Sequence, residues 1–356
     1  MPPSSKTHPG DNGASVGVMD SHRGRLAALE EEMVRETAVT PKELIYARGT
    51  LRLYHYLPQT PDVFRIPILL VMSLVSKPYI FDLTPGQSLV EYLVRAGFDV
   101  YLVDWGVPRL EHRGLGVDDY VADLIPDCIA KIQAQSGVMD VNILGYCLGG
   151  IFATLYAALN PTGPLSSLLL IATPINSLGM EMQRKLLTTD GLDPDLIVDK
   201  LGNVPPAMIE AAFQMLRPLQ KASGQFVLIN KMDDPAFIKA TLRISRWGAD
   251  ALPFPGRAFL QLAHDFIMEN RIVTGDFEIR GKKVDLREIS VPVLHIVAQH
   301  DHVVPSAASG DLVRLVGSGD KEEWVIKGGH VSLIAGVAAV TKTWPRLVSW
   351  LAPRSI

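Results

Sequence analysis

Several classes of protein are excluded by what this chain has little of. It holds two cysteines, Cys128 and Cys147, in 356 residues. Two thiols do not make a disulfide framework, and a reducing compartment is the simpler expectation. No run reaches the roughly 18 apolar residues that a membrane span needs. The opening stretch, residues 1–17, is rich in Pro, Ser and Gly and lacks the apolar centre of a secretory signal. Neither charge dominates: 34 Lys and Arg face 38 Asp and Glu, for a net charge of −4. A nucleic-acid partner, which calls for a basic face, is therefore not expected. There is no Gly-x-x-x-x-Gly-Lys-Ser/Thr phosphate loop, no Gly-x-Gly-x-x-Gly after the first core strand, and no His/Cys cluster at metal-ligand spacing. These absences predict a cytoplasmic protein with no membrane span and no bound metal.

What is present is an alternation of strands and helices. Residues 1–18 have a disordered composition. Residues 21–36 carry Leu26, Leu29 and Met33 at helical spacing, which reads as a helix packed on the core or, alternatively, as a partner-binding helix. Residues 43–47 and 51–56 form a strand pair across Arg48-Gly49-Thr50. Strands follow at 68–75, 98–103, 141–144 and 168–172. Helices fall at 88–96, at 117–133 with an interruption at Pro126, and at 151–159. Strands separated by helices imply a mostly parallel sheet flanked by helices.

The alternation stops over residues 176–263, which carry Pro205, Pro206, Pro218, Pro235, Pro253 and Pro255 among short helical runs. An insertion there predicts a helical cap. Its Phe213, Met215, Leu216, Phe226, Trp247, Phe254 and Phe259 are either cap core or the lining of an apolar pocket. The core resumes at 284–289, with strands at 291–298 and 323–326. The predicted organisation is an N-terminal tail and helix (1–39), a first core part (40–175), the cap (176–263) and a second core part (264–356).

Gly145-Tyr146-Cys147-Leu148-Gly149-Gly150 has the pattern of the nucleophile elbow of an α/β-hydrolase, with cysteine at the nucleophile position. A strand turning at once into a helix leaves no room for side chains two residues either side of the nucleophile. The turn lifts the sulfur to a helix N-terminus, whose positive end favours a thiolate. In this fold the chain order is nucleophile, acid, histidine. Asp301, just past the strand at 291–298, and His330, on Lys327-Gly328-Gly329-His330, complete that order. His300 and His302 flank the acid and are poorer candidates for the base, because neighbours along an extended loop point in different directions. The oxyanion hole is expected to use the backbone N–H of Leu148 and one from Val75, Ser76 or Lys77 after the first core strand. His302, Trp247 and Tyr146 are candidate substrate contacts. Cys128, on the helix before the elbow strand, reads as a packing residue.

The motifs resemble the polyhydroxyalkanoate synthases, especially the short class III enzymes, with class IV a near neighbour. The likeness is carried by Lys77-Pro78-Tyr79-Ile80-Phe81-Asp82-Leu83, Val100-Tyr101-Leu102-Val103-Asp104-Trp105-Gly106, the elbow hexapeptide, Asp301-His302-Val303-Val304-Pro305 and Gly328-Gly329-His330-Val331. It covers residues 40–351. Two departures stand out: Val331-Ser332-Leu333 is less glycine-rich than expected of the family, and the segment before Thr40 has no match. The resemblance implies a polymerising acyltransferase that takes 3-hydroxyacyl-CoA, with CoA as part of the substrate and no separate cofactor. It matches Cys147, Asp301 and His330 to the family's nucleophile, acid and base. It also implies a growing polyester chain, association with polyester granules, an accessory synthase subunit and a candidate homo-oligomer. The rival readings are a cysteine esterase or depolymerase with the same triad, and a catalytically silent granule-binding relative.

Overall fold

The computed structural model describes residues 31–188, 191–216 and 235–356. The expected disordered tail, Leu26, Leu29, Pro218 and Phe226 lie outside these residues. The chain opens its sheet with β1 (Lys42–Arg48) and β2 (Leu51–Tyr56), joined by the glycine turn at Gly49. Then come β3 (Ile68–Val71), α1 (Leu89–Arg95), β4 (Val100–Asp104), α2 (Ile125–Ser136), β5 (Val141–Tyr146), α3 (Leu148–Leu159) and β6 (Leu165–Ile171). The segment between β6 and the next sheet strand holds α4 (Glu181–Thr188), α5 (Pro194–Leu201), α6 (Pro206–Met215), α7 (Pro235–Ala249), α8 (Gly256–Gln261) and a small hairpin of β7 (Glu278–Ile279) and β8 (Lys282–Lys283). The core closes with β9 (Val293–Ala298), β10 (Lys321–Ile326) and α9 (Trp344–Leu351).

Eight strands form one sheet in the order β1-β2-β4-β3-β5-β6-β9-β10. The six from β4 to β10 run parallel, while β1 and β2 add an antiparallel ribbon at one side. The two rims are β1 and β10, and both carry exposed charge, Glu43 and Arg48 on one and Lys321, Glu322 and Glu323 on the other. Helices cover both faces, so the inner strands are buried on both sides and mostly apolar rather than apolar on alternate residues, with Asn142, Ser167 and His295 the buried polar exceptions. Leu69, Val71, Ile143, Leu168 and Leu170 pack into one layer, and Ile68, Leu70, Leu144 and Leu169 into the opposite one. From β3 the chain winds outward to β4 and then returns to lay β5 on β3's other side. Such a reversal opens a crevice at the carboxyl ends of the two strands. The elbow follows β5, and the loop from Met72 onward follows β3.

Local departures from expectation have local causes. The first core strand stops at Val71 rather than at residue 75, because the next residues turn toward the cap. The interruption at Pro126 is a wide turn over Tyr120–Leu124, after which α2 restarts with Pro126 in its first turn, where a missing N–H costs nothing. α1 begins as expected, its Ser88 cap accepting the Glu91 N–H at 2.9 Å. The described end of the N-terminal helix, residues 31–35, packs against α7: Met33 is buried, Glu32 pairs with Lys239 at 2.6 Å, and Glu36 pairs with Arg243.

Candidate active site

Cys147 caps α3 with φ 55° and ψ −123°. A non-glycine residue held there is strained by about 1–3 kcal/mol, and such strain persists only where the surroundings enforce it. Here they do. The Cys147 N–H donates to the Ile171 carbonyl of β6 at 2.9 Å. A Cβ at Gly145 would lie 2.5 Å from the Gly150 Cα. One at Gly149 would lie 2.7 Å from the Met72 carbonyl carbon. The two glycines let the elbow close on itself and press the start of α3 against the end of β3. That contact starts α3 at Leu148, three residues before the expected 151. Cys147 and Leu148 are partly exposed, unlike the buried strand before them.

His330 stands on a short turn, His330–Leu333, after β10, and is buried. Its Nδ1 meets Asp301 Oδ2 at 2.7 Å, and the Cys147 sulfur is close enough to act electrostatically on the ring. Asp301 Oδ1 accepts the N–H groups of Val303 and Val304, each at 2.8 Å. One carboxylate oxygen is thus spent on its own loop, and the other faces the imidazole. Ser332 donates to the Gly329 carbonyl at 2.7 Å, and a side chain at Gly328 would overlap the Ser332 hydroxyl. The serine that departs from a glycine-rich pattern therefore braces the histidine loop. Cys147, Asp301 and His330, 154 and 29 residues apart along the chain, are brought together.

Leu148 opens α3, so its N–H has no partner inside the helix. On the loop after β3, the Val75 N–H reaches only Ser73 Oγ, at 3.5 Å. Ser76 bridges to Ala251 of the cap segment, and the Lys77 carbonyl accepts the Trp247 Nε1–H at 2.8 Å.

Two family models match. One, described as alpha/beta hydrolase fold, covers residues 78–337, and the other, the N-terminus of poly-beta-hydroxybutyrate polymerase, covers residues 26–93. The chain is 35% identical over 324 residues to the Poly(3-hydroxyalkanoate) polymerase subunit PhaC of Allochromatium vinosum, spanning 90% of each chain. It is 33% identical to the subunit of that name from Haloferax mediterranei, over 94% of this chain and 68% of that one. The chain belongs to the poly(3-hydroxyalkanoate) polymerase family. Its fold is the α/β-hydrolase fold: a carboxylesterase of Nitrososphaera gargenis superposes with a TM-score of 0.53 at 15% identity, over 88% of this chain and 98% of that one. The polymerase match begins at residue 26, upstream of the segment that the motifs reach.

Other residues of this polymerase-family chain fall in distinct places. Tyr146 is buried, its ring 5.0 Å from the His330 ring and its hydroxyl 3.4 Å from the His330 carbonyl, so it backs the imidazole. His302 and His300 are exposed. Trp247 is buried against the loop after β3. Cys128 is fully buried on α2, and burial pushes its thiol far above the usual range, as a packing residue requires. Phe254 is buried among the core residues, while Met215 is exposed. A cavity of about 210 Å³ is lined by Lys42, Tyr54, Tyr56, Lys77, Tyr79 and Leu252; none of Cys147, Asp301 and His330 borders it. Asp250, just past α7, accepts from Lys77 and Tyr79, and no sequence motif singles it out. Among the described residues no group of His, Cys, Asp and Glu could hold a metal ion, and no helix is long and apolar enough to cross a membrane.

Burial by itself pushes the His330 imidazolium down, but the neighbouring Cys147 sulfur and then the Asp301 carboxylate outweigh it and raise the group from 6.5 to about 10. A folded value above the unfolded one stabilises the fold fully below pH 6.5, and this contribution fades as the pH climbs through about 10. Cys147→Ala deletes the largest raising influence. The expected result is a His330 titration that moves down, with a flatter dependence of melting temperature on alkaline pH. Histidine-labelled NMR and thermal melts across that window measure both.

Proposed function

We propose that this chain polymerises 3-hydroxyacyl groups, with 3-hydroxybutyryl as the first candidate, taken from CoA thioesters. His330 takes the proton of Cys147, and the sulfur attacks the thioester carbonyl. The π pair moves onto oxygen, held by the Leu148 N–H and one donor of the Val75–Lys77 loop. The C–S bond to CoA then breaks, and CoA leaves with the proton from His330. The acyl group rests on Cys147 as a thioester. The 3-hydroxyl of another unit, its proton passing to His330, attacks that thioester; the C–S bond to Cys147 breaks, the sulfur leaves as thiolate, and the chain is longer by one ester. Asp301 fixes the imidazole and balances its charge, and a second role on the substrate hydroxyl is compatible with its place. The cap helices between β6 and β9 limit water's access to the intermediate. No cofactor is required, since CoA enters and leaves with the substrate.

One observation carries this reading. A strained cysteine, beside an Asp-supported histidine, stands at the elbow of a chain alike to polymerases over most of its length. A thioester on sulfur passes its acyl group to an alcohol more readily than an ester on serine would, which suits a catalyst that hands chains on. We further propose an accessory subunit of the class III or class IV kind, residence at the granule surface and a cytoplasmic location. The test is purified protein with 3-hydroxybutyryl-CoA, alone and with candidate partner proteins. The expected products are free CoA and insoluble polyester, formed slowly by the chain alone and faster with its partner. Free 3-hydroxybutyrate without polymer would make it a hydrolase.

A further inference from the structure

The loop that supplies the second oxyanion donor is not held by the core alone. Backbone and side-chain contacts tie it to the segment around the end of α7. The Leu252 N–H donates to the Val75 carbonyl at 3.0 Å. Ser76 pairs with Ala251 as an isolated antiparallel bridge. Trp247 Nε1–H donates to the Lys77 carbonyl at 2.8 Å. Asp250 then takes both side chains of the loop's far end, Lys77 Nζ on Oδ1 at 2.8 Å and the Tyr79 hydroxyl on Oδ2 at 3.2 Å.

Burial, followed by the Asp250 charge, holds the Tyr79 phenol above its ordinary range, so it stays a donor. The Lys77–Asp250 pair is 39% and 35% exposed. A partly exposed pair of this kind adds little to global stability. What it fixes is a position. Val75, the first residue of the clamped segment, has an N–H held only by a long contact to Ser73, and Met72 touches the elbow at Gly149. A small drift of Lys77 and Tyr79 therefore reaches the loop amides from Val75 onward, which adjoin the elbow through Met72.

We propose that Asp250 is a positioning residue: through Lys77 and Tyr79 it sets the loop amides at the distance from Cys147 that a tetrahedral oxyanion requires. It rests on the acyl-transfer role of Cys147. The cap, in this arrangement, completes the oxyanion hole as well as covering it.

The test compares two reactions of one sulfur. Acylation by a small aryl thioester places negative charge on the carbonyl oxygen before the arenethiolate leaves, so it needs the oxyanion hole. Alkylation by iodoacetamide is a displacement at a saturated carbon: sulfur bonds to carbon, iodide departs, and no oxyanion forms. Losing one such donor costs about 10²–10³ in rate, and displacing it costs part of that. Asp250→Ala is expected to slow acylation about 10–100-fold. Its iodoacetamide rate stays within about twofold and its KM for the thioester changes little, so the loss falls in kcat.

Tyr79→Phe and Lys77→Gln each produce part of the effect. They add to less than their sum in Asp250→Ala, where their partner is already gone. Asp250→Asn, which keeps one acceptor oxygen, recovers part of the rate. Should Asp250→Ala fail to fold, Tyr79→Phe carries the same comparison with the ring volume kept. Unchanged acylation in folded variants overturns the proposal. So does an equal fall in acylation and alkylation, which would mean that Asp250 acts on the sulfur or on access to it. An aryl thioester acylates Cys147 whatever the natural acyl donor is, so failure here is separable from failure of the polymerase reading, which the CoA and polyester assay decides.

Discussion

Cys147→Ala is expected to remove CoA release and polymer formation together. In a nucleophile–base–acid site, loss of the nucleophile costs on the order of 10⁶ in kcat, because the remaining groups have nothing to activate. The other thiol cannot substitute. Cys128 is fully buried on α2, and its burial keeps it protonated. Cys147 stands at the partly exposed mouth of the elbow, in contact with His330. Intact wild-type protein quenched during turnover should carry a 3-hydroxyacyl mass on the peptide containing Cys147. Label on Cys128, or CoA release that survives Cys147→Ala, would remove the covalent mechanism.

The second large effect is at His330. Replacing it with alanine is expected to lower the rate about 10²–10⁴-fold, the usual worth of a positioned proton carrier. Both half-reactions suffer, since the same ring takes a proton from Cys147 and later from the incoming hydroxyl. The effect should be specific to this histidine. His330 is buried, held by Asp301 on Nδ1 and backed by Tyr146, whereas His300 and His302 are exposed on the adjoining loop. His302→Ala therefore keeps most of the rate. A near-normal rate in His330→Ala, or a collapse in His302→Ala, would transfer the proton role elsewhere.

The elbow and its partners were legible because each leaves a side-chain signature at a strand end. Gly145, Gly149 and Gly150 mark a turn with no room, Asp301 follows an apolar run, and His330 follows two glycines. The strands themselves were legible for a related reason, since a sheet covered on both faces writes itself as runs of Val, Ile and Leu. Boundaries were less so. β3 stops at Val71 although Met72, Leu74 and Val75 continue the apolar run. Those residues are buried by the cap and by the elbow rather than by the ladder, and apolarity does not tell one cover from another. The start of α3 was missed because glycine argues against helix, whereas here the close approach to Met72 demands it. The clamp on Lys77 and Tyr79 had no signature at all. It depends on a single aspartate about 170 residues downstream, and its Trp247 partner reads equally well as cap core or pocket wall.

The charged rims of the sheet have a consequence for how two copies of this chain can meet. An open strand edge offers unpaired N–H and C=O groups to any neighbouring strand, and such edges zip together when they are flat and apolar. At β10 the exposed run begins Lys321-Glu322-Glu323, and at β1 it includes Glu43 and Arg48. Annealing two copies rim to rim would have to bury these ionised groups along with the exposed Leu44 and Val325. Clustering through the backbone is thereby discouraged, and any assembly of these chains is left to side-chain surfaces.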